Sequence, residues 1–312
     1  MKEKVGLIAV DSKYPNLALM KLSTWAKSKG YDVEWYNPFS QYEIVYMSKI
    51  FNFTPDYEHP ITNAKKIIKG GTGYDINIRL PELANYELPD YDLYNLPKDV
   101  SMGFITRGCP NSCQWCIVPK KEGKGYFEQT AYSIAEHGKR PKITLMDNNF
   151  LALPEVAENQ LNVIIKEGYR VDFNQGLDAR LVDDNFAILL AKVKWLTHEI
   201  RFGCDTEQQV YECERAINLI RSKGYNGKFS LYTIINNNFE ECCWRLMHFH
   251  NDTKISINAQ PYRDTQRVNQ VPQWQKDMAR WANKTEIYRS CDLMHYKISK
   301  NQKFKEYANK SK

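Results

Sequence analysis

Six short apolar runs recur between residues 102 and 262, with segments of helical spacing filling the gaps. This alternation constrains the fold more than any other feature of the chain. The runs are MGFITR (102–107), KITLMDNNF (142–150), YRVDFNQGLD (169–178), HEIRFGCDT (198–206), KFSLYTIIN (228–236) and KISINAQPY (254–262). Patterns such as PEVAENQLNVIIKEG and EQQVYECERAINLIRSKG fill the gaps with an apolar stripe of period 3.6. Consecutive strand and helix units predict a parallel α/β architecture, and six in a row predict a barrel or part of one. A functional site in such a fold lies at the carboxyl ends of the strands.

A smaller α/β unit precedes this region. KVGLIAVD (4–11) reads as a strand buried on both faces, NLALMKLSTWAKSKG as a helix stopped by Gly30, and YDVEWYN as a second strand. YEIVYMSKIF (42–51) and AKKIIKGGTGYD (64–75) continue the pattern and predict a small doubly wound sheet. Gly70, Gly71 and Gly73 suit either a tight turn or a close approach of backbone to a ligand. The proline-punctuated segment 80–100 has no clear period and is expected to link the two units. The expected organisation is therefore a domain over 1–80, a linker over 81–100, a barrel over 101–265 and a basic helical cap over 266–312.

Hydrophobic residues at 43% and charged residues at 26% describe an ordinary globular chain. No apolar run approaches the roughly 20 residues of a membrane span, and a cytoplasmic protein with no membrane partner is expected. Residues 263–312 carry 12 Lys and Arg against 5 Asp and Glu, a surplus of +7 in a chain whose net charge is +6. The basic character thus belongs to the C-terminal segment, where Lys300, Lys303 and Lys305 could contact nucleic acid. Within it, Trp274, Met278 and Trp281 form an apolar stripe best suited to core packing.

The most specific local signal is RGCPNSCQWCIVPKKEG (107–123), where Cys109, Cys113 and Cys116 fall within eight residues. In a reducing compartment, clustered cysteines point to metal or redox chemistry before disulfides. Structural zinc requires four ligands, usually in paired C-x-x-C units, and the next histidine, His137, is far downstream. Three cysteines suit a 4Fe-4S cluster that leaves one iron open to a substrate or cofactor.

At these residues the sequence resembles the radical SAM superfamily, whose signature C-x3-C-x-aromatic-C stands here as CPNSCQWC with Trp115 in the aromatic place. The resemblance implies a partial (β/α)6 barrel in which Cys109, Cys113 and Cys116 hold the cluster and S-adenosylmethionine (SAM) chelates the remaining iron. One electron would then cleave the sulfonium and yield a 5′-deoxyadenosyl radical that abstracts hydrogen from a substrate not legible in the sequence. It also implies an electron donor such as flavodoxin or ferredoxin. By the same resemblance, Asp147, Asn148 and Asn149 after the second strand are candidates for the methionine amino group. Arg201 is the candidate for the SAM carboxylate, and Asn258 and Gln260 for adenine or ribose. Gln175, Asp178 and Arg180 approach the mouth after the third strand, Asp178 being a candidate catalytic residue. Cys204 is the other, as a hydrogen donor or radical carrier. Cys213, Cys242, Cys243 and Cys291 are scattered and read as small buried hydrophobes.

The first unit together with TRGCPNSCQWC resembles radical SAM proteins that carry a cobalamin-binding domain before the barrel. The cobalamin-ligating D-x-H-x-x-G is absent, the first histidine being His59, so bound cobalamin is not the primary expectation. CIVPKKEGK is also similar to methylthiotransferases, but no cysteine precedes Cys109 to hold the second cluster of those enzymes. The reading is a radical SAM enzyme of unidentified substrate. Its alternatives are a cobalamin-assisted radical methyltransferase, a nucleic-acid-modifying radical SAM enzyme, and an inactive cluster-bearing scaffold.

Overall fold

The computed structural model describes residues 2–85, 87–263 and 271–296. The chain divides into two compact units, Met1–Val100 and Ser101–Lys312. No helix among the described residues is long and apolar enough to cross a membrane.

The first unit is a parallel sheet of β1 (Lys4–Ala9), β2 (Asp32–Trp35), β3 (Tyr42–Ser48) and β4 (Ala64–Gly70), in the order β2-β1-β3-β4. Helix α1 (Leu17–Ser28) connects β1 to β2, capped by the Asn16 side chain, which accepts from Leu19 N at 3.1 Å. The strand alternation of β1 sorts its side chains by face. Val5 and Leu7 meet Leu19, Leu22 and Ala26 of α1, while Ile8 joins Tyr42, Val45 and Met47 on the other side.

Among the described residues, no helix contributes to the core on that second face. Tyr57 and Ile61, from the β3–β4 connection, pack there in place of one, so the sheet is parallel but not wound with helices on both faces. The segment 49–63 lacks a 3.6-residue apolar stripe, and nothing in it favours a helix. Residues 81–100 also differ from the expected free linker. They form α2 (Glu82–Asn85) and a 3₁₀ turn (Tyr91–Tyr94) and cluster with the first unit. Ala84 enters the α1 core, and Asp90 accepts from Ser23 Oγ and Lys27 Nζ, both at 2.6 Å. Period could not reveal this packing because the segment is anchored by single contacts rather than by a stripe.

The second unit opens with β5 (Val100–Gly103) and β6 (Thr106–Arg107), followed by α3 (Val118–Glu122), β7 (Tyr126–Phe127) and α4 (Ala131–Ile134). Strand β6 pairs antiparallel with β7. Then come β8 (Lys142–Leu145), α5 (Pro154–Glu167), β9 (Arg170–Phe173), α6 (Asp184–Lys192), β10 (Lys194–Trp195) and β11 (Glu199–Gly203). The order ends with α7 (Glu207–Ser222), β12 (Lys228–Ile235), α8 (Phe239–His248), β13 (Ile255–Pro261), α9 (Gln273–Asn283) and α10 (Thr285–Ser290). One sheet has the order β10-β9-β8-β5 and the other β11-β12-β13. A parallel bridge between Leu177 and Phe202 joins them, with Leu177 N donating to Arg201 O at 2.7 Å.

Alternation again separates two faces. Ile143, Leu145, Val171, Phe173, Ile200, Phe202, Phe229 and Leu231 turn into one core with the helices, meeting Leu161 of α5, Leu190 of α6, Ile217 of α7 and Leu246 of α8. The register places Thr144, Asp172, Arg201, Ser230, Ser256 and Asn258 on the opposite face. A strand face carrying this many polar groups is suited to a polar ligand rather than to packing. Helix α9 buries Met278 and Trp281 completely, as the apolar stripe predicted, and Asn283 exchanges two hydrogen bonds with Ala259 of β13. The continuation containing Lys300, Lys303 and Lys305 lies outside the described residues.

Candidate cluster and cofactor site

The three cysteines sit on the loop between β6 and β7, closed at its neck by several independent ties. Gly108 has φ +82°, and a Cβ there would stand 2.7 Å from Gly125 N, so only glycine fits. Cys109 N donates to Gly123 O at 3.0 Å, and Arg107 forms a bidentate pair with Glu122 at 2.9 to 3.1 Å. Burial opposes the Glu122 charge, but the Arg107 guanidinium wins and holds its carboxyl below the usual range.

The DNN sequence at the end of β8 engages this loop residue by residue. Asp147 accepts from Ile105 N at 3.2 Å, Thr106 N at 2.5 Å and Thr106 Oγ1 at 2.9 Å. Asn148 Oδ1 accepts from Gly108 N at 3.0 Å. Asn149 Nδ2 reaches Cys109 Sγ at 3.5 Å and Asp178 Oδ2 at 3.1 Å. Consecutive strand-end residues thus hold consecutive parts of the thiol-bearing segment.

This geometry revises the reading of Asp147. Its carboxylate is 3% exposed and engaged by the backbone of residues 105 and 106, so it serves the loop rather than an ammonium. Burial outweighs those hydrogen bonds and pushes its pKa up to about 6. Asn149 has the complementary character. Its Oδ1 is buried without a hydrogen-bond partner, an arrangement that costs free energy unless a donor arrives.

Asp178 gathers the polar side chains next to Cys109. It accepts from Asn111 Nδ2 at 3.1 Å, from Asn149, and from Arg180 through two bonds at 2.7 and 2.8 Å. Burial raises its pKa, but Arg180 and the two amides outweigh that effect and keep it lowered. Burial also pushes the Cys113 and Cys116 thiols up, with Arg180 opposing the shift at Cys113. Ligation to a metal would remove the proton and relieve that cost.

Trp115 takes part in a contact the sequence did not announce. Its side chain hydrogen-bonds Asp205, which also accepts from Ile234 N at 2.8 Å and whose pKa burial raises. Behind Asp205 lies the fully buried Arg245 of α8, donating to Cys204 O and Ile234 O at 3.0 Å and to Glu241 at 2.8 Å. An acid at the end of a strand was the only available signal for Asp205. Asn111 had none, because nothing local tells which loop amide turns toward Asp178.

Other expected site residues fall elsewhere. Cys204 is 2% exposed and belongs to the helix-side core with Cys213, so it does not reach the thiol loop. Strand parity explains this: Gly203 occupies the polar face and the next residue turns away. Arg201 does lie on the polar face, but it is paired with Asp172 and, at 3.4 Å, with Glu199, so it is already engaged. Asn258 and Gln260 are exposed on that face, Asn258 donating to Ser230 Oγ at 2.6 Å. In the first unit, Gly71 and Gly73 serve packing. Their missing Cβ positions lie 2.4 Å from Lys49 O and 2.7 Å from Phe51 O.

Among the described residues, no three His, Cys, Asp or Glu are close enough to bind a single metal ion. A four-iron cluster makes no such demand, because each cysteine takes a different iron at a corner of the cube. The three thiols, the amide at Cys109 and the orphaned Asn149 oxygen fit a cluster with a donor-bearing ligand beside it.

No protein-family model matches the chain, and no curated protein matches it. Among solved structures, it is similar to TsrM, a radical S-adenosylmethionine methyltransferase from Kitasatospora setae determined with cobalamin and a [4Fe-4S] cluster bound. The TM-score is 0.57 at 13% identity, with 84% of this chain and 75% of that chain covered. The likeness is one of fold alone: the described parallel α/β architecture resembles that of the solved methyltransferase.

Proposed function

We propose that the protein is a radical SAM enzyme whose second unit is a partial (β/α)6 barrel with α9 and α10 as a cap. The observation that carries this reading is the engagement of the C-x3-C-x2-C loop by Asp147, Asn148 and Asn149 at the end of one parallel strand. Cys109, Cys113 and Cys116 would hold a 4Fe-4S cluster, with SAM at the fourth iron. Bound together and supplied with one electron, these cofactors provide a 5′-deoxyadenosyl radical that abstracts hydrogen from a substrate.

The chain's own residues supply placement. Asn149 Nδ2 donates toward Cys109 Sγ, a contact of the kind that tunes cluster potential. Its unpartnered Oδ1 is an acceptor for the methionine ammonium, the role the sequence also offered to Asp147. Asp178 fixes Asn111, Asn149 and Arg180, and so acts as a positioning residue. Arg180, with 39% of its side chain exposed against 12% for Arg201, is better placed than Arg201 to meet the SAM carboxylate. Asn258 and Gln260 are exposed acceptors and donors for ribose or adenine on the polar face.

Cobalamin-assisted methyl transfer is the second reading, favoured by the extent of the fold likeness. The covered 84% exceeds the second unit, which alone is about two thirds of the chain, so it takes in part of the first. Against a cobalamin-ligating role near β1, the Asp11 carboxylate is occupied by Ile50 N, Phe51 N and Thr54 Oγ1 at 2.7 to 2.9 Å. Corrinoid copurifying with the protein would favour this reading.

The deciding experiment is anaerobic reconstitution with iron and sulfide, reduction, and addition of SAM. A shifted EPR signal together with 5′-deoxyadenosine supports the enzyme. A cluster that forms but neither shifts nor cleaves SAM, beside a working control, supports a scaffold instead.

A further inference from the structure

We propose that the surface carrying Lys120, Lys124, Tyr126 and Phe127 docks a small acidic one-electron carrier protein that reduces the cluster. This inference rests on the radical SAM reading and adds to it the place where the electron enters.

Position is the first argument. Helix α3 begins two residues after Cys116, and the turn that follows it is fastened to another ligand by the bond from Cys109 N to Gly123 O at 3.0 Å. Lys120 and Lys124 therefore stand on a segment tied at both ends to residues that would ligate iron. Electron transfer decays steeply with distance, and a donor seated on this segment would stand over a stretch of chain bounded by two of the three cysteines.

Charge is the second. Lys120 and Lys124 are exposed, and neither has an ion-pair partner among the described residues. Glu122 is the only acid between residues 118 and 127, and its 7% exposed side chain is turned onto Arg107. Glu128, the next acid, is half-buried, so across residues 118–128 the exposed charges are the two lysines, which would steer and orient an acidic partner.

The third argument is apolar area. Tyr126 and Phe127 of β7, two and three residues beyond Lys124 in the chain, are each 46% exposed, one on either face of the strand. Whichever face a partner approaches, it meets one exposed aromatic ring close in the chain to the lysines. A nucleic acid would also be attracted to lysines, but strands of nucleic acid need a longer basic track than one five-residue helix and a two-residue strand.

The step is a single electron transfer without atom exchange. With a flavin carrier, the hydroquinone loses one electron to become the semiquinone, and the cluster passes from the 2+ to the 1+ state.

The test uses the reconstituted full chain with a flavodoxin as probe. It compares wild type, the double variant Lys120→Glu with Lys124→Glu, and Lys166→Glu on α5 as a control. Affinity is measured across a salt series, and electron transfer by the appearance of flavin semiquinone. The double variant is expected to bind about tenfold or more weakly, with a flatter salt dependence and a matching fall in semiquinone formation. The control should match wild type.

Dithionite, which needs no docking surface, reports by EPR whether each cluster is intact. Equal affinity and rate in the double variant with an intact cluster would overturn the proposal. So would a wild type that binds flavodoxin without saturation or salt sensitivity. Bulk tRNA binding lost in the double variant while flavodoxin reduction persists would assign the patch to nucleic acid and overturn it as well. If charge reversal disturbs the cluster, Lys120→Gln with Lys124→Gln is read by the same criteria. A wild type that assembles no cluster at all brings down the radical SAM reading itself and the docking with it.

Discussion

The carboxyl ends of the two units' sheets are built from the same kind of parallel strand, yet they use their polar residues in opposite ways. In the first unit, Asp11 is occupied by the β3–β4 connection, Asn16 by α1 and Ser48, and Asp56 by Lys69 and Tyr74. Gly71 and Gly73 let two loops close against each other. In the second unit the strand ends also brace a loop, but they leave three thiols and one buried amide oxygen with capacity to spare. A strand end becomes a candidate site through donors and acceptors its own fold does not satisfy, and topology alone does not supply them.

The sharpest break between the two regions is expected from Cys113→Ala. It should abolish the cluster absorption and EPR signals and all 5′-deoxyadenosine formation, whereas the first unit, which has no cysteine, should keep its hydrogen-exchange protection. If iron–sulfur content survives, the thiol loop is not the cluster site.

Gly71→Ala probes the other side. A Cβ at φ +95° and 2.4 Å from Lys49 O should destabilise the first unit by about 2 kcal/mol, seen as lost amide protection in β3 and β4. The SAM-dependent EPR shift should be unchanged. A change in it would mean that the first unit's loops belong to the site.

Asn149→Ala removes both the contact to Cys109 and the unpartnered oxygen. SAM affinity of the reconstituted protein should fall about tenfold, equivalent to roughly 1.4 kcal/mol, while cluster content stays normal. Undiminished affinity would make Asn149 another braced residue like Asp11 and weaken the contrast.

The smallest effect is a pH dependence at Asp147. Its pKa is raised in the folded state from 3.8 to about 6, so the folded chain takes up the proton before the unfolded chain does. The associated stability is fully present below 3.8 and is lost as pH rises through about 6. Between pH 7.5 and 5, wild type should gain roughly 1 kcal/mol relative to Asp147→Asn in urea unfolding. A gain of the opposite sign would show that the backbone bonds outweigh burial.

Periodicity made the strand sequence of both units legible, because buried parallel strands and amphipathic helices each leave a local pattern. It did not reveal the face of the first sheet to which no described helix contributes, where scattered side chains such as Tyr57 and Ile61 pack, nor the anchoring of residues 81–100 through Ala84 and Asp90. The three cysteines were legible from spacing. Asn149 and Asp178 were named because they follow strands, and the structure places Asn149 against both Cys109 and Asp178, whereas it engages Asp147 with the loop backbone and turns Cys204 into the helix-side core, because facing depends on where each strand ends. Asp205 meets Trp115 from 90 residues downstream, and Asn111, inside the motif, turns to Asp178, 67 residues away, so only the fold brings each pair together.

The bond between Trp115 and Asp205, and that of Asp205 to Ile234, have a consequence for the order of biosynthesis. Contacts that shape the thiol loop are translated long after the loop itself, the last of them on β12. A nascent chain that has just exposed its three cysteines would present them on an eight-residue segment without those contacts. That set of contacts is complete only once residue 234 has left the ribosome, so on the proposed reading a cluster would be delivered to a finished barrel rather than to the nascent loop.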